Sequence, residues 1–309
     1  MQHITDAMVD AAVDAEDARN VLQKAFLAFG ESDAAMQARV RTEAGGIKLS
    51  TLGAVIPVQG VVGAKVYTTL EGRFNFVILL FSARDGRPLA TLDAGAITRI
   101  RTAACSVLAA RALARPGAGV LGLYGAGTQG VEHAVQISRV LGLKRILVHD
   151  PYAAPDTDRR IAALTGADVR REEADAIAAA ADIIVTASRS RTPLFSGAAA
   201  QAGAFIAAIG SSLPTTRELD DALLARAKTV VVEWKPQTLR EAGDLLLADP
   251  AIGVDEKIVE MSDVLAGRVA RGGPSEIHLY KSVGVGLEDI ALAGHAYARL
   301  ADREGWPQP

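Results

Sequence analysis

The stretch LYGAGTQGVEHA, residues 123–134, constrains this chain more than any other. The apolar run GVLGLYG before it reads as a buried strand, and TQGVEHAVQISRVLG after it reads as a helix. Gly125, Gly127 and Gly130 form G-x-G-x-x-G at the junction. Such glycines permit a tight turn and let backbone N–H groups approach a pyrophosphate at the positive end of the helix. A second strand, RILVHD, ends at Asp150, 25 residues after Gly125. An acidic side chain there accepts hydrogen bonds from a ribose 2′-hydroxyl and repels a 2′-phosphate, which points to NAD; NADP is the alternative, because Arg159 and Arg160 follow closely. DIIVTAS, AFIAAIGSS and TVVVEW continue the rhythm with helical segments between them. Alternation of this length predicts an α/β fold with a Rossmann, doubly wound parallel sheet.

Before residue 115 the pattern differs. An opening helix is predicted at roughly 15–30, followed by strands at roughly 36–43, 47–57, 61–69, 74–82 and 87–92, with Asp85-Gly86 as a hairpin turn. The segment DAGAITRIRTAACSVLAARALA reads as a long helix with Asp93 as its cap. Near the end, VGVGLEDIALAGHAYARLADREG reads as a further helix. Packed back on the N-terminal part, it would make that domain discontinuous. The expected organisation is an α+β domain of residues 1–114 plus about 287–309, and a nucleotide-binding domain of residues 115–286.

Composition removes other classes. With 309 residues and a net charge of −3, the chain has length for two domains but no basic excess to hold a nucleic acid backbone. Cys105 is the single cysteine, and the five histidines show no metal-ligand spacing, so neither a disulfide framework nor a metal site is expected. The acidic N-terminus lacks the apolar segment of a signal peptide, and no run is long enough to span a membrane. A cytoplasmic protein is the expectation.

Three cations sit on otherwise apolar elements: Arg41 in ARVRTE, Lys65 in VVGAKVYTT, and Arg101 within the long helix. Charges so placed face an opposite charge or a ligand. Converging, they would suit a substrate carboxylate; unrelated surface cations are the alternative. AAIGSSLPTTREL, residues 207–219, reads as a strand ending in two hydroxyls, with Thr215 and Glu218 as the capping box of a following helix.

Taken together, RTEAGGIKLSTLGAVIP, GAKVYTT, TRIRTAACSVLAARALARP, LGLYGAGTQG, ADIIVTASRSRTPLF, GSSLPTTRELDD, VVEWKPQT, EAGDLL and YKSVGVGLEDIA resemble the ornithine cyclodeaminase/mu-crystallin family along nearly the whole chain. The resemblance implies a Rossmann domain, an N-terminal domain completed by the C-terminal helix, homodimers formed through the N-terminal sheet, and an active site between the domains. It implies that Arg41, Lys65 and Arg101 bind the substrate carboxylate, with Arg101 also near the cofactor. It places Gly125, Gly127, Thr128, Gln129 and Gly130 at the pyrophosphate and Asp150 at the adenosine ribose. Thr186, Ile209, Gly210, Ser211 and Ser212 then lie near the nicotinamide, as does Ser282, with Val283 over the substrate amine. One departure stands out. Cyclodeaminases carry G-D-C-P-G-K-T-E-L where this chain has SSLPTTREL, so Ser212 replaces their catalytic aspartate, and serine has no useful pKa near 7 for general-base work. The expected function is therefore NAD(P)-dependent hydride transfer on a small α-amino or cyclic α-imino acid, with Lys65 and Ser212 as catalytic candidates. The alternatives are ornithine cyclodeamination with NAD recycled, and a cofactor-binding protein without turnover.

Overall fold

The computed structural model describes residues 1–309. In chain order the elements are β1 (Gln2–Ile4), α1 (Asp6–Ala12), α2 (Ala15–Gly30), β2 (Ala35–Ala44), β3 (Ile47–Ile56), β4 (Val61–Leu70), β5 (Arg73–Ser82), β6 (Pro88–Asp93), α3 (Gly95–Leu113), β7 (Val120–Tyr124), α4 (Thr128–Leu141), β8 (Arg145–His149) and α5 (Thr157–Thr165). They continue with β9 (Asp168–Arg171), α6 (Ala174–Ala180), β10 (Ile183–Thr186), β11 (Phe205–Ala208), α7 (Asp221–Arg226), β12 (Ala227–Val232), α8 (Lys235–Glu241), α9 (Gly243–Leu246), α10 (Val254–Lys257), β13 (Ile258–Glu260), α11 (Met261–Leu265), β14 (Ile277–Lys281) and α12 (Gly286–Glu304). The chain divides into one unit of Met1–Ala104 with Gly284–Pro309 and another of Cys105–Val283. No helix is long and apolar enough to cross a membrane.

The first unit is a six-stranded mixed sheet in the order β1-β6-β5-β4-β3-β2, with α12 laid across one face. Strand register defines that face. Lys65 lies opposite Leu52 and Ile78, and Tyr67 opposite Ser50 and Phe76, so these side chains point the same way. Arg41 pairs with Ser50 and shares their face. Small residues let α12 come close. A Cβ on Gly286 would meet the Gly53 carbonyl oxygen at 2.4 Å, and one on Gly63 would meet the Ile290 side chain at 2.9 Å. The opposite face exposes Val40, Ile47, Leu49, Val55, Leu70 and Val77. The start of α3 differs from the sequence expectation. Asp93 belongs to β6, and the Ala96 N–H is instead received by Asp6 of α1 at 2.7 Å. Gly95 makes room for that carboxylate, since a Cβ there would lie 2.4 Å from it.

The second unit is an eight-stranded parallel sheet in the order β13-β12-β14-β11-β10-β7-β8-β9. Its six inner strands are largely buried and rich in Ile, Val and Ala, as sheets covered on both faces require, while the edge strands β9 and β13 are more exposed. Strand order reverses between β7 and β10, which makes the carboxyl ends of these two strands the ligand crevice of a doubly wound sheet. The predicted capping box is corrected here. No helix begins at Thr215; residues 209–219 form a loop, and α7 is capped by Asp220, which accepts the Leu223 N–H. Glu218 points into the core instead, because four donors wait for it there.

Candidate functional site

In the first unit, Lys65 and Arg101 are 3% and 6% exposed, and α12 brings two carboxylates to them. Asp289 Oδ1 accepts from Lys65 Nζ at 3.2 Å and from Arg101 Nε at 3.1 Å. Arg101 also pairs with Glu288, the carboxylate of which faces the Val285 N–H at the start of α12. Lys65 donates a second hydrogen bond to Thr98 Oγ1 at 2.7 Å, and its ammonium stands 4.5 Å from the centre of the Phe76 ring. Arg39 of β2 donates to the Gly284 carbonyl at 2.7 Å, and its charge acts on both Lys65 and Asp289. Burial pushes the Lys65 amine down to about 8; Asp289 opposes the shift, and Arg101 and Arg39 add to it. Burial pushes Asp289 the other way, but the charges of Arg101 and Lys65 outweigh it and hold the carboxyl below its ordinary range. The first turn of a helix also favours an anion. The result is an ordered patch in which three cations face two carboxylates.

In the second unit, the glycine turn has the geometry that its sequence promises. Gly125 adopts φ +90°, a conformation that favours glycine, and a Cβ on Gly130 would lie 2.0 Å from the Gly125 oxygen. Gly127 is exposed with open space above it and caps α4 without any side chain. The N-terminus of α4 thus has no side-chain cap, which fits a pyrophosphate. Asp150 follows β8, accepting the Ala126 N–H at 2.8 Å and the Tyr152 N–H at 2.9 Å. It ties the acidic position to the glycine turn itself.

The loop carrying Ser211 and Ser212 is fastened from below. Glu218 Oε2 accepts from Thr186 Oγ1 and Gly210 N–H, both at 2.9 Å, while Oε1 accepts from Ser188 N–H at 2.8 Å and Ser188 Oγ at 2.6 Å. Its burial raises the carboxyl pKa, against the pull of Lys281. Lys281 donates to the Ser211 carbonyl at 2.6 Å and stands 2.9 Å from Asp244 Oδ2. Asp244 Oδ1 takes the Glu218 and Leu219 N–H groups at 2.6 and 2.9 Å. The Ser211 hydroxyl turns inward to the Thr216 carbonyl at 2.7 Å, whereas Ser212 is half-buried. Ile209 is hydrogen-bonded to the Thr186 carbonyl at 2.9 Å. Ser282 donates its hydroxyl to buried Glu233, which also takes the Val283 N–H at 3.3 Å.

The structure thus brings Lys65 and Arg101 together, with Arg41 on the same sheet face. In the other unit it gathers the glycine turn, Asp150, Thr186 and residues 209–212 at the carboxyl edge of the strands. Sequence reading missed Arg39, Glu288 and Asp289 in the first unit, and Glu218 as a buried acid, Asp244, Lys281 and Glu233 in the second. The signal available for the last four was charge inside apolar surroundings, the same signal that singled out Lys65.

The sequence matches the profile of the ornithine cyclodeaminase/mu-crystallin family over residues 8–304. The chain belongs to that family. Within it, a Delta(1)-pyrroline-2-carboxylate reductase of Colwellia psychrerythraea is 33% identical over 264 residues, covering 78% of this chain and 81% of the relative. Among solved structures, a "probable ornithine cyclodeaminase" from Bordetella pertussis Tohama I is 65% identical with a TM-score of 0.99, covering the whole of both chains. The Thermococcus litoralis Delta(1)-pyrroline-2-carboxylate reductase, solved with NADH and L-proline, is 26% identical with a TM-score of 0.92 over 99% of this chain and 98% of that one. Family membership and the buried cation patch agree on an enzyme of amino or imino acids.

Proposed function

We propose that this chain is an NAD(P)-dependent oxidoreductase acting on a small α-amino or cyclic α-imino acid. The observation that carries the reading is the buried Lys65–Asp289–Arg101 cluster. A lysine buried among cations with its pKa near 8 holds a proton that it can give up at neutral pH. In this reading Arg41, Lys65 and Arg101 grip the substrate carboxylate, with Arg101 offering a planar donor fork, and so orient Cα. A bound nicotinamide supplies or accepts the hydride. Lys65 donates the proton that polarises the imine and takes it back in the reverse direction. Ser212 hydrogen-bonds the substrate nitrogen or a water. Thr128 and Gln129 serve the pyrophosphate, and Asp150 the adenosine ribose. Because Thr186, Ser211 and Ser282 direct their hydroxyls into the fold, their part is to shape the backbone around the cofactor, together with Ile209, Gly210 and Val283.

The test is to mix the protein with NADH or NADPH and pyrroline-2-carboxylate, piperideine-2-carboxylate, or pyruvate plus ammonia. Loss of absorbance at 340 nm with one of these imines is expected; no change with any of them would sink the reading. The resemblance to a probable cyclodeaminase supports a second reading, conversion of ornithine to proline plus ammonia without net NADH. Proline formed from ornithine in the same vessel would favour it, and the serine at 212 argues against it.

We also infer a homodimer. The exposed apolar residues Val40, Ile47, Leu49, Val55, Leu70 and Val77 share one sheet face, and a face of this character suits a second copy of the chain. The cytoplasm is the compartment we assign, supported by a single buried cysteine with no second one for a disulfide.

A further inference from the structure

Asp289 touches both buried cations through one oxygen, Oδ1, while its other oxygen, Oδ2, is buried without a hydrogen-bond partner. A buried acceptor left open is costly. Its placement is also elaborate. The first turn of α12 reaches the backbone of Gly53 because Gly286 carries no side chain, and Gly284, at φ +72°, lets the Arg101 guanidinium lie 2.9 Å from where a Cβ would be.

We propose that Asp289 is the positioning residue of this site, setting both the aim and the charge of Lys65; the inference rests on the oxidoreductase reading above. The elements packed around Lys65 present Thr98 and Arg101 from α3, Arg39 from β2, Phe76 from β5, and Asp289 from α12. Two of these groups are cations that drive the ammonium toward its neutral form. Asp289 is the anion in contact with it. Glu288 faces Arg101 instead. Removal of the Asp289 charge therefore leaves Lys65 among like charges and weakens its hold on its proton.

Asp289→Asn isolates the charge from the shape, because the amide oxygen can still accept from Lys65 and Arg101. The readout is a pH titration of the full chain with 13Cε-labelled lysine, the Lys65 signal being assigned by its loss in Lys65→Met. The Lys65 midpoint, near 8 in the parent, is expected to fall by about one unit or more in Asp289→Asn. Glu288→Gln is expected to move it less than half as far. The basic limb of kcat/KM for the imino acid should fall in parallel, and KM should rise at pH 8 yet recover at pH 6. A purely structural role would lower activity at every pH and leave the midpoint in place, and that result overturns the proposal.

Should Asp289→Asn not fold, the parent protein labelled at aspartate 13Cγ gives the same answer. One aspartate carboxylate must then show a second step at the Lys65 midpoint; its absence overturns the proposal equally. The titration needs no turnover. A shifted midpoint without imine reduction would therefore count against the assigned reaction alone, and reduction with an unmoved midpoint against Asp289 alone.

Discussion

Two buried charge clusters, one in each unit, are built from the same parts and differ in how completely they are closed. In the Rossmann unit, Lys281 is fully buried beside Asp244 and donates to backbone carbonyls, while Asp244 takes two backbone N–H groups and Glu218 takes four donors. Most of these bonds end on the main chain, which fixes the loop of residues 209–219 in one shape. In the mixed-sheet unit, Lys65, Arg101, Glu288 and Asp289 bind one another's side chains, and Asp289 Oδ2 stays open, whereas Asp244 Oδ2 in the other cluster lacks a hydrogen bond but has the Lys281 ammonium 2.9 Å away. Closed clusters hold a backbone in place. An open one keeps charge and a proton available, at the cost of desolvating ions that its pairs only partly offset.

The sharpest way to break this contrast is to remove each lysine in turn. Lys65→Met should lower kcat/KM for the imino acid by about a thousandfold or more, since both proton transfer and carboxylate binding are lost. Its thermal midpoint should stay within a few degrees, because Asp289 keeps Arg101. In the parent, kcat/KM should fall as pH rises through about 8, where the Lys65 ammonium is lost. The sign for stability runs the other way: between about 8 and the ordinary 10.5, the unfolded chain holds a proton that the folded one has released, so folding stability gains with pH there. Lys281→Met should do the reverse of Lys65→Met. Stripping the cation from beside fully buried Asp244 should cost about 3–5 kcal/mol of stability, read by denaturant unfolding. Equal losses of stability in the two variants would erase the distinction.

Glu218→Gln sharpens the comparison at a smaller scale. An amide offers one acceptor oxygen where two now take four donors, so one pair must face an NH2 group. A loss of about 1–3 kcal/mol is expected, with weaker NAD binding by calorimetry, because the ends of β10 and β11 are no longer tied.

That carboxylate also marks where the sequence ceased to be readable. Local patterns carried far: the glycine turn, the five strands from about residue 36 to 92, the parallel sheet and the long C-terminal helix all follow from periodicity and spacing, whereas the short β1 (Gln2–Ile4) did not. Glu218 follows a threonine by three positions, and that local spacing spells a capping box; its real partners, Thr186 and Ser188, lie about thirty residues earlier. Asp6 displaced Asp93 as the cap of α3 in the same way, from 90 residues away. Lys65 and Arg101 stood out as charges on apolar elements, but Asp289, 224 residues beyond Lys65, sits in a first helical turn where acids are commonplace. Local chemistry is written in the sequence; which distant charge completes it depends on how α12 meets the sheet.

Asp150 tests whether one carboxylate can belong to both classes. Its two oxygens hold the Ala126 and Tyr152 N–H groups, as in a closed cluster, yet it is half-buried at the strand edge and has acceptor capacity left for a ribose. Asp150→Asn keeps an oxygen for Ala126 and removes the charge. If the charge discriminates between cofactors, the Kd for NADP should fall while that for NAD rises modestly, a change in preference of about tenfold. If Asp150 serves only the glycine turn, both cofactors should weaken together. Calorimetric titration with each cofactor separates the outcomes, and parallel weakening would place Asp150 with Asp244 rather than with Asp289.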